Sequence, residues 1–164
     1  MKMKNILIGI FVSSILICCQ RVDNSGNVNH GIIEDAVQFR IARPTNQLVE
    51  IKKFYTEALG MKVLGSFSDH DGYSGLMLGM PNSKYHLEFT EHEIKEHLPK
   101  PTKENLLVLY FDTPEKYDAA NRQLLEFGVK PVEPENPYWI GKSKTYEDPD
   151  KWRIVLFNGV YQSN

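Results

Sequence analysis

Phe54-Tyr55-Thr56-Glu57-Ala58-Leu59-Gly60-Met61-Lys62-Val63-Leu64 closes an amphipathic helix on a glycine and opens a strand. Gln123-Leu124-Leu125-Glu126-Phe127-Gly128-Val129-Lys130-Pro131-Val132 does the same later, with Gly128 lying 68 residues beyond Gly60. Glycine just past a helix end takes the left-handed backbone without a Cβ penalty. Helix, Gly, apolar residue, Lys and strand in the same order twice predict two copies of one supersecondary unit. A chain of 164 residues has room for both around a shared core. Paired units enclose a cleft, and a site is expected there.

Outward from the first glycine, Val37 to Arg43 alternates and ends at Pro44, which reads as a half-buried strand. Thr45 or Asn46 is placed to cap the helix that follows, with its stripe at Leu48, Ile51, Phe54, Tyr55, Ala58 and Leu59. Strands are predicted at 61–67, 73–80 and 85–90, with turns at Asp69-His70-Asp71-Gly72 and Pro81-Asn82-Ser83. The second half opens with an apolar strand at 105–111. Thr113 caps a helix that starts on Pro114 and buries Tyr117, Ala120, Leu124 and Phe127. Strands are expected again at 130–133, 142–147 and 152–157, the last after Asp148-Pro149-Asp150. Each half reads β-α-β-β-β, an α+β fold of two modules, about 36–92 and 104–161.

The amino terminus follows a different logic. Met1-Lys2-Met3-Lys4 is basic, and the apolar run from Ile6 to Ile17 is shorter than the roughly 20 residues a spanning helix needs. It reads as a signal peptide over 1–18. Residues 19–35 form a polar tether ahead of the domain at 36–161. No cysteine follows Cys19, so the domain holds no internal disulfide. The formal net charge of -2 gives no electrostatic footprint for nucleic acid. Leu16-Ile17-Cys18-Cys19 resembles a bacterial lipoprotein box, which implies cleavage after Cys18 and lipidation of Cys19. The expected location is the bacterial cell envelope, with the membrane met only through the lipid anchor. The other reading is an ordinary secreted or periplasmic protein.

The helix motif at 54–63, Leu87-Glu88-Phe89-Thr90 and Glu147-Asp148-Pro149-Asp150-Lys151-Trp152-Arg153-Ile154 resemble the vicinal oxygen chelate superfamily of glyoxalase I, bleomycin-resistance proteins and extradiol dioxygenases. Phe39-Arg40-Ile41-Ala42-Arg43-Pro44 and Glu135-Asn136-Pro137-Tyr138-Trp139 are similar to its YycE-like branch. The resemblance implies that the modules roll a mixed sheet into a cup, where four side chains hold a divalent metal. It places those ligands at Arg40, Glu88, Asn105 (within one residue) and Val155, so only Glu88 keeps the expected chemistry. Arg40 offers donors and a fixed positive charge, and Val155 offers nothing. No metal and no other cofactor is expected in this cup.

Residues two apart on a strand share a face. Arg40 and Ala42 are therefore expected toward the cup, and Phe39 and Ile41 toward the helices. His86, Glu88 and Thr90 are expected to join the cup face, with Asn105, Leu107 and Leu109 and then Arg153, Val155 and Phe157 from the second module. An Arg40–Glu88 ion pair with His86 and Asn105 close by would replace the metal. It either anchors an anionic ligand or neutralises a vacated position. Tyr138 and Trp139, with Trp152 as a third ring, are candidates to stack on a planar ligand or to pack on the surface. Arg153 joins the candidate ligand contacts. His70 is read as a turn residue, and His92-Glu93-Ile94-Lys95-Glu96-His97 as a solvated face with helical spacing.

Three functions follow. The first is a metal-free protein that binds a small anionic or aromatic molecule in the cup. The second is a lyase or isomerase with Glu88 as base and Arg40 stabilising an enolate-like intermediate, or a glyoxalase-related activity. The third is an assembly lipoprotein whose cup is filled by its own side chains. The modules either close one cup within the chain or pair across a homodimer.

Overall fold

A computed structural model describes residues 32–80, 83–95 and 97–162. The expected signal peptide, Cys19 and most of the tether lie outside the described residues. Residues 1–36 and 37–164 form separate units, and the described part of the first is one 3₁₀ turn, Ile32–Asp35.

The second unit carries both modules. The first consists of β1 (Phe39–Pro44), α1 (Leu48–Lys53, continued by a wider turn over Phe54–Ala58), β2 (Lys62–His70), β3 (Tyr73–Gly79) and β4 (Tyr85–His92). The second consists of β5 (Leu106–Phe111), α2 (Pro114–Glu126), β6 (Ser143–Glu147) and β7 (Arg153–Asn158). Gly60 and Gly128 follow the two helices at φ +73° and +92°, as the repeat requires. Thr113 caps α2 by accepting from the Lys116 amide. Gln47 is the N-cap of α1, and the Thr45 hydroxyl accepts the Gln47 amide at 3.1 Å.

The modules share one topology. The first sheet runs β1-β4-β3-β2 and the second β5-β7-β6, and in each the first strand pairs parallel with the last. The strand expected at 130–133 is reduced to one bridge, with Val132 N–H on the Thr145 carbonyl at 2.8 Å. Pro131 and Pro134 flank it and carry no amide hydrogen, so the ladder cannot extend. A single core joins both modules, with Ile51, Phe54, Tyr55, Leu76, Leu78 and Phe89 from the first and Leu124, Tyr146, Ile154 and Leu156 from the second.

A buried charge cluster fixes the seam between the modules. Arg43 points from β1 to the helix side, and its Nη2 donates to Asp148 Oδ2 and, at 2.9 Å, to the Tyr55 hydroxyl. Tyr55 donates in turn to Asp148 Oδ2 at 2.9 Å. The guanidinium lies 4.7 Å from the Phe89 ring centre and 4.6 Å from that of Trp152, one ring from each module. Burial pushes the Asp148 carboxyl up, against the pull of Arg43, Tyr55 and the Trp152 amide. Burial also raises Tyr55 far enough to keep its hydroxyl a donor. Beside this cluster, Asp150 Oδ1 accepts from Thr45 at 3.1 Å and from Gln47 at 2.7 Å.

Removing one member of a buried pair strands the other. Arg43→Met and Asp148→Asn should each lose about 3–5 kcal/mol in urea unfolding. The double variant should lose clearly less than the sum; additive losses would show that the pair does not join the modules.

Candidate functional site

The ladder of the first module brings three candidate residues together. Arg40 is level with His86 and Ala42 with Glu88, so all four share the concave face. Arg40 Nε donates to His86 Nε2 at 2.8 Å, and Nη1 donates to Glu88 Oε2 at 2.9 Å. The guanidinium is divided between two acceptors, so the Glu88 pair is a single contact. On the other side of the ring, His86 Nδ1 lies 3.4 Å from the Gln38 side-chain amide. The Arg40 side chain is 48% exposed and that of Glu88 12%, so the positive end meets solvent.

Beside these groups, and Thr90 and Lys62 at the same parity, the middle of this face is apolar over a glycine floor. Gly65 and Met77 are level with Glu88, while Gly75 and Phe67 are level with Thr90. A Cβ on Gly75 would fall 2.1 Å from the Phe67 ring, and one on Gly79 would fall 2.5 Å from Leu64. These glycines let Phe67 and Leu64 lie flat across neighbouring strands. A permanent cation thus stands beside an open apolar surface.

The second module presents its face differently from the expected parity. Leu106, Val108 and Tyr110 are level with Arg153, Val155 and Phe157, so they occupy the cup side. Leu107 and Leu109 pack against the core. Asn105 precedes β5, and its Oδ1 accepts from the Thr102 amide at 2.7 Å and hydroxyl at 3.0 Å. The place opposite Arg40 in the repeat belongs to Leu106.

The loop after α2 covers this second face. Arg153 is buried and donates from Nη1 to the Glu133 carbonyl at 3.1 Å. Trp139, on a 3₁₀ turn at Pro137–Trp139, meets Phe157 edge-on at 6.0 Å, and its carbonyl accepts from Ser143 at 2.9 Å. Tyr138 is exposed, with Lys142 4.1 Å from its ring centre. Trp152 stacks on Arg43. Asn105, Tyr138, Trp139 and Arg153 are thus engaged away from the Arg40 cluster. A cavity of about 100 Å³ remains between β1 and β5, bordered by Ala42, Glu88, Leu106 and Trp152.

Two histidine motifs resolve into local structure. His70 lies in an exposed turn between Asp69 and Asp71, both at φ +52°. His92 ends β4 and meets Tyr73 edge-on at 4.5 Å, and Glu93, Ile94 and Lys95 follow exposed, while Glu96 lies outside the described residues.

The donor set does not fit a divalent metal. Among the described residues of the β1–β4 ladder Glu88 is the carboxylate on the Arg40 face, His86 Nε2 already accepts from Arg40, and the counterpart positions are Leu106 and Val155. Among the described residues no three His, Cys, Asp or Glu side chains converge.

Residues 39–90 match the YycE-like N-terminal domain and 104–158 the YycE-like C-terminal domain. An uncharacterized protein YycE from Bacillus subtilis is 49% identical over 123 residues, spanning 75% of this chain and 88% of that protein. The chain belongs to the YycE-like family. Membership places it in the vicinal oxygen chelate superfamily and agrees with the two-module fold. A crystal structure of a B. subtilis YycE protein of unknown function, provisionally described as a glyoxalase or fosfomycin resistance protein, superposes with a TM-score of 0.75 at 47% identity. That match covers 79% of this chain and 94% of the other. Glyoxalase I of Leishmania major shares the fold at a TM-score of 0.58 and 24% identity, covering 74% of this chain and 86% of that one.

Arg43, Asp148 and Tyr55 were not among the expected site residues. Their signal was an arginine at helix-side parity between apolar residues, a position that demands a buried partner.

The glycine floor is open to a direct test. Gly75→Ala should cost about 1–3 kcal/mol in urea unfolding through the clash with Phe67, and Phe67→Leu in the same chain should recover part of it. A neutral Gly75→Ala would mean that the ring does not lie across β3.

Proposed function

We propose that this YycE-like protein binds a small organic anion without a metal, with Arg40 holding the acidic end and Phe67, Met77 and Leu64 holding the apolar remainder. The observation that carries this reading is the Arg40 guanidinium, half exposed on an apolar face and bonded only once to Glu88. Concave apolar surfaces with a few convergent polar groups are where small ligands bind. Trp139 fills the second half of the face and confines the ligand to the first. The amino-terminal pattern adds an anchor at Cys19 in the cell envelope, with secretion as the alternative.

A second reading keeps chemistry. Glu88 accepts one bond from Arg40, so its carboxylate retains lone pairs for a proton, and Arg40 is placed to stabilise a developing oxyanion. A lyase or isomerase reaction of this type would be abolished by Glu88→Gln, whereas anion binding would survive it.

A thermal-shift screen of aromatic and aliphatic carboxylates should find a stabiliser. Arg40→Ala should weaken it by roughly 10- to 100-fold, the loss of one charge-assisted contact. No stabiliser across the library, or one indifferent to Arg40→Ala, would refute the binding reading. Elemental analysis after incubation with zinc, nickel or iron(II) should show no stoichiometric uptake. Mass spectrometry of the envelope fraction should find a lipidated Cys19, lost in Cys19→Ser.

A further inference from the structure

The seam between the modules has two ends related by the repeat, and only one is filled. Register equates Arg40 with Leu106 and His86 with Arg153, so Leu109 corresponds to Arg43 and Tyr85 to Trp152. At the first end Arg43 fills the slot, stacked against Trp152 across the seam. At the other end Leu109 and Tyr85 border a cleft of about 410 Å³, closed further by Met61, Met80, Val108 and Tyr110. Leucine is shorter than arginine and cannot reach across. The space occupied at one end by a flat, delocalised group is left open at its counterpart.

We infer that this cleft is a second ligand site, distinct from the Arg40 face, for a small uncharged planar or aliphatic molecule. Among the described residues no charged side chain lines it, and the Tyr85 hydroxyl donates to Met80 Sδ at 3.0 Å. An ion in it would give up part of its hydration and meet no counter-charge among the lining residues. A neutral ring would gain aromatic contact from Tyr85 and Tyr110 and soft contact from the methionine sulfurs. The volume lies within the roughly 300–1,000 Å³ typical of small-molecule pockets. The walls come from both modules, so a bound molecule would bridge them at the end away from the Arg43–Asp148 pair.

Indole, a neutral planar probe, tests this by isothermal titration calorimetry on the full chain. One saturable equivalent is expected. Val108→Trp, which fills the cleft, should weaken binding at least about tenfold. Tyr85→Ala, which removes one wall, should weaken it as well and guards against a misfolded Val108→Trp. Arg40→Ala locates the probe, and retained binding there supports the cleft. The inference is overturned by an absence of saturable heat, by equal affinity in both cleft variants, or by loss in Arg40→Ala. It is overturned equally if light scattering shows a dimer that dissociates in Val108→Trp, since a second copy would then cover this surface.

Discussion

The contact between Arg43 and Asp148 is the constraint on which the rest of this molecule depends. A guanidinium does not lose its proton in a protein, so burying one commits the fold to delivering a carboxylate. Here the carboxylate comes from the other module, on the turn that precedes β7. Two modules with similar topology and apolar inner faces could dock in several registers at similar hydrophobic gain. Any wrong docking would leave Arg43 or Asp148 charged, buried and alone. The pair therefore acts through specificity, and its net contribution to stability is secondary.

The same strand transmits that constraint to the concave face. Arg43 and Arg40 are three residues apart on β1 and point to opposite sides. Fixing Arg43 against the second module fixes β1, and the parallel ladder with β4 then sets Arg40 level with His86 and beside Glu88. Thr45 and Gln47, just past β1, tie the start of α1 to Asp150. One short segment thus joins the modules, starts the first helix and presents the candidate anchor.

Much of this was legible in the residues alone. Two glycines after two amphipathic helices announced the repeat, and strict alternation on β1 and β4 placed Arg40, His86 and Glu88 together. Parity misplaced β5 because its near-continuous apolar run carries no alternation to set the phase; Asn105 fell outside the strand and Leu106 took its place. The strand at 130–133 follows from the repeated order of helix, glycine, apolar residue, lysine and strand, but Pro131 and Pro134 withhold the amides a ladder needs. Trp139 was an aromatic in a loop, and only the fold shows that the loop turns back over the second sheet. Arg43 was visible as a charge on the buried face, yet its partner lies 105 positions away and no local pattern names it.

The two arginines of β1 show how environment divides one side chain into two uses. Arg43 is enclosed by rings, and its Nη2 meets both an aspartate and a tyrosine, so an external anion would have to displace a fully desolvated carboxylate. Arg40 faces solvent over nearly half of its side chain and gives single bonds to an imidazole and a partly exposed glutamate. An incoming carboxylate can share this guanidinium without breaking either bond or stranding a buried charge. Its cost is proximity to Glu88, which a ligand offsets only if its apolar part also covers the surface around Phe67 and Met77. Charge recognition and apolar burial are therefore coupled on this face, and a simple inorganic anion, with no apolar part, should be a poor occupant.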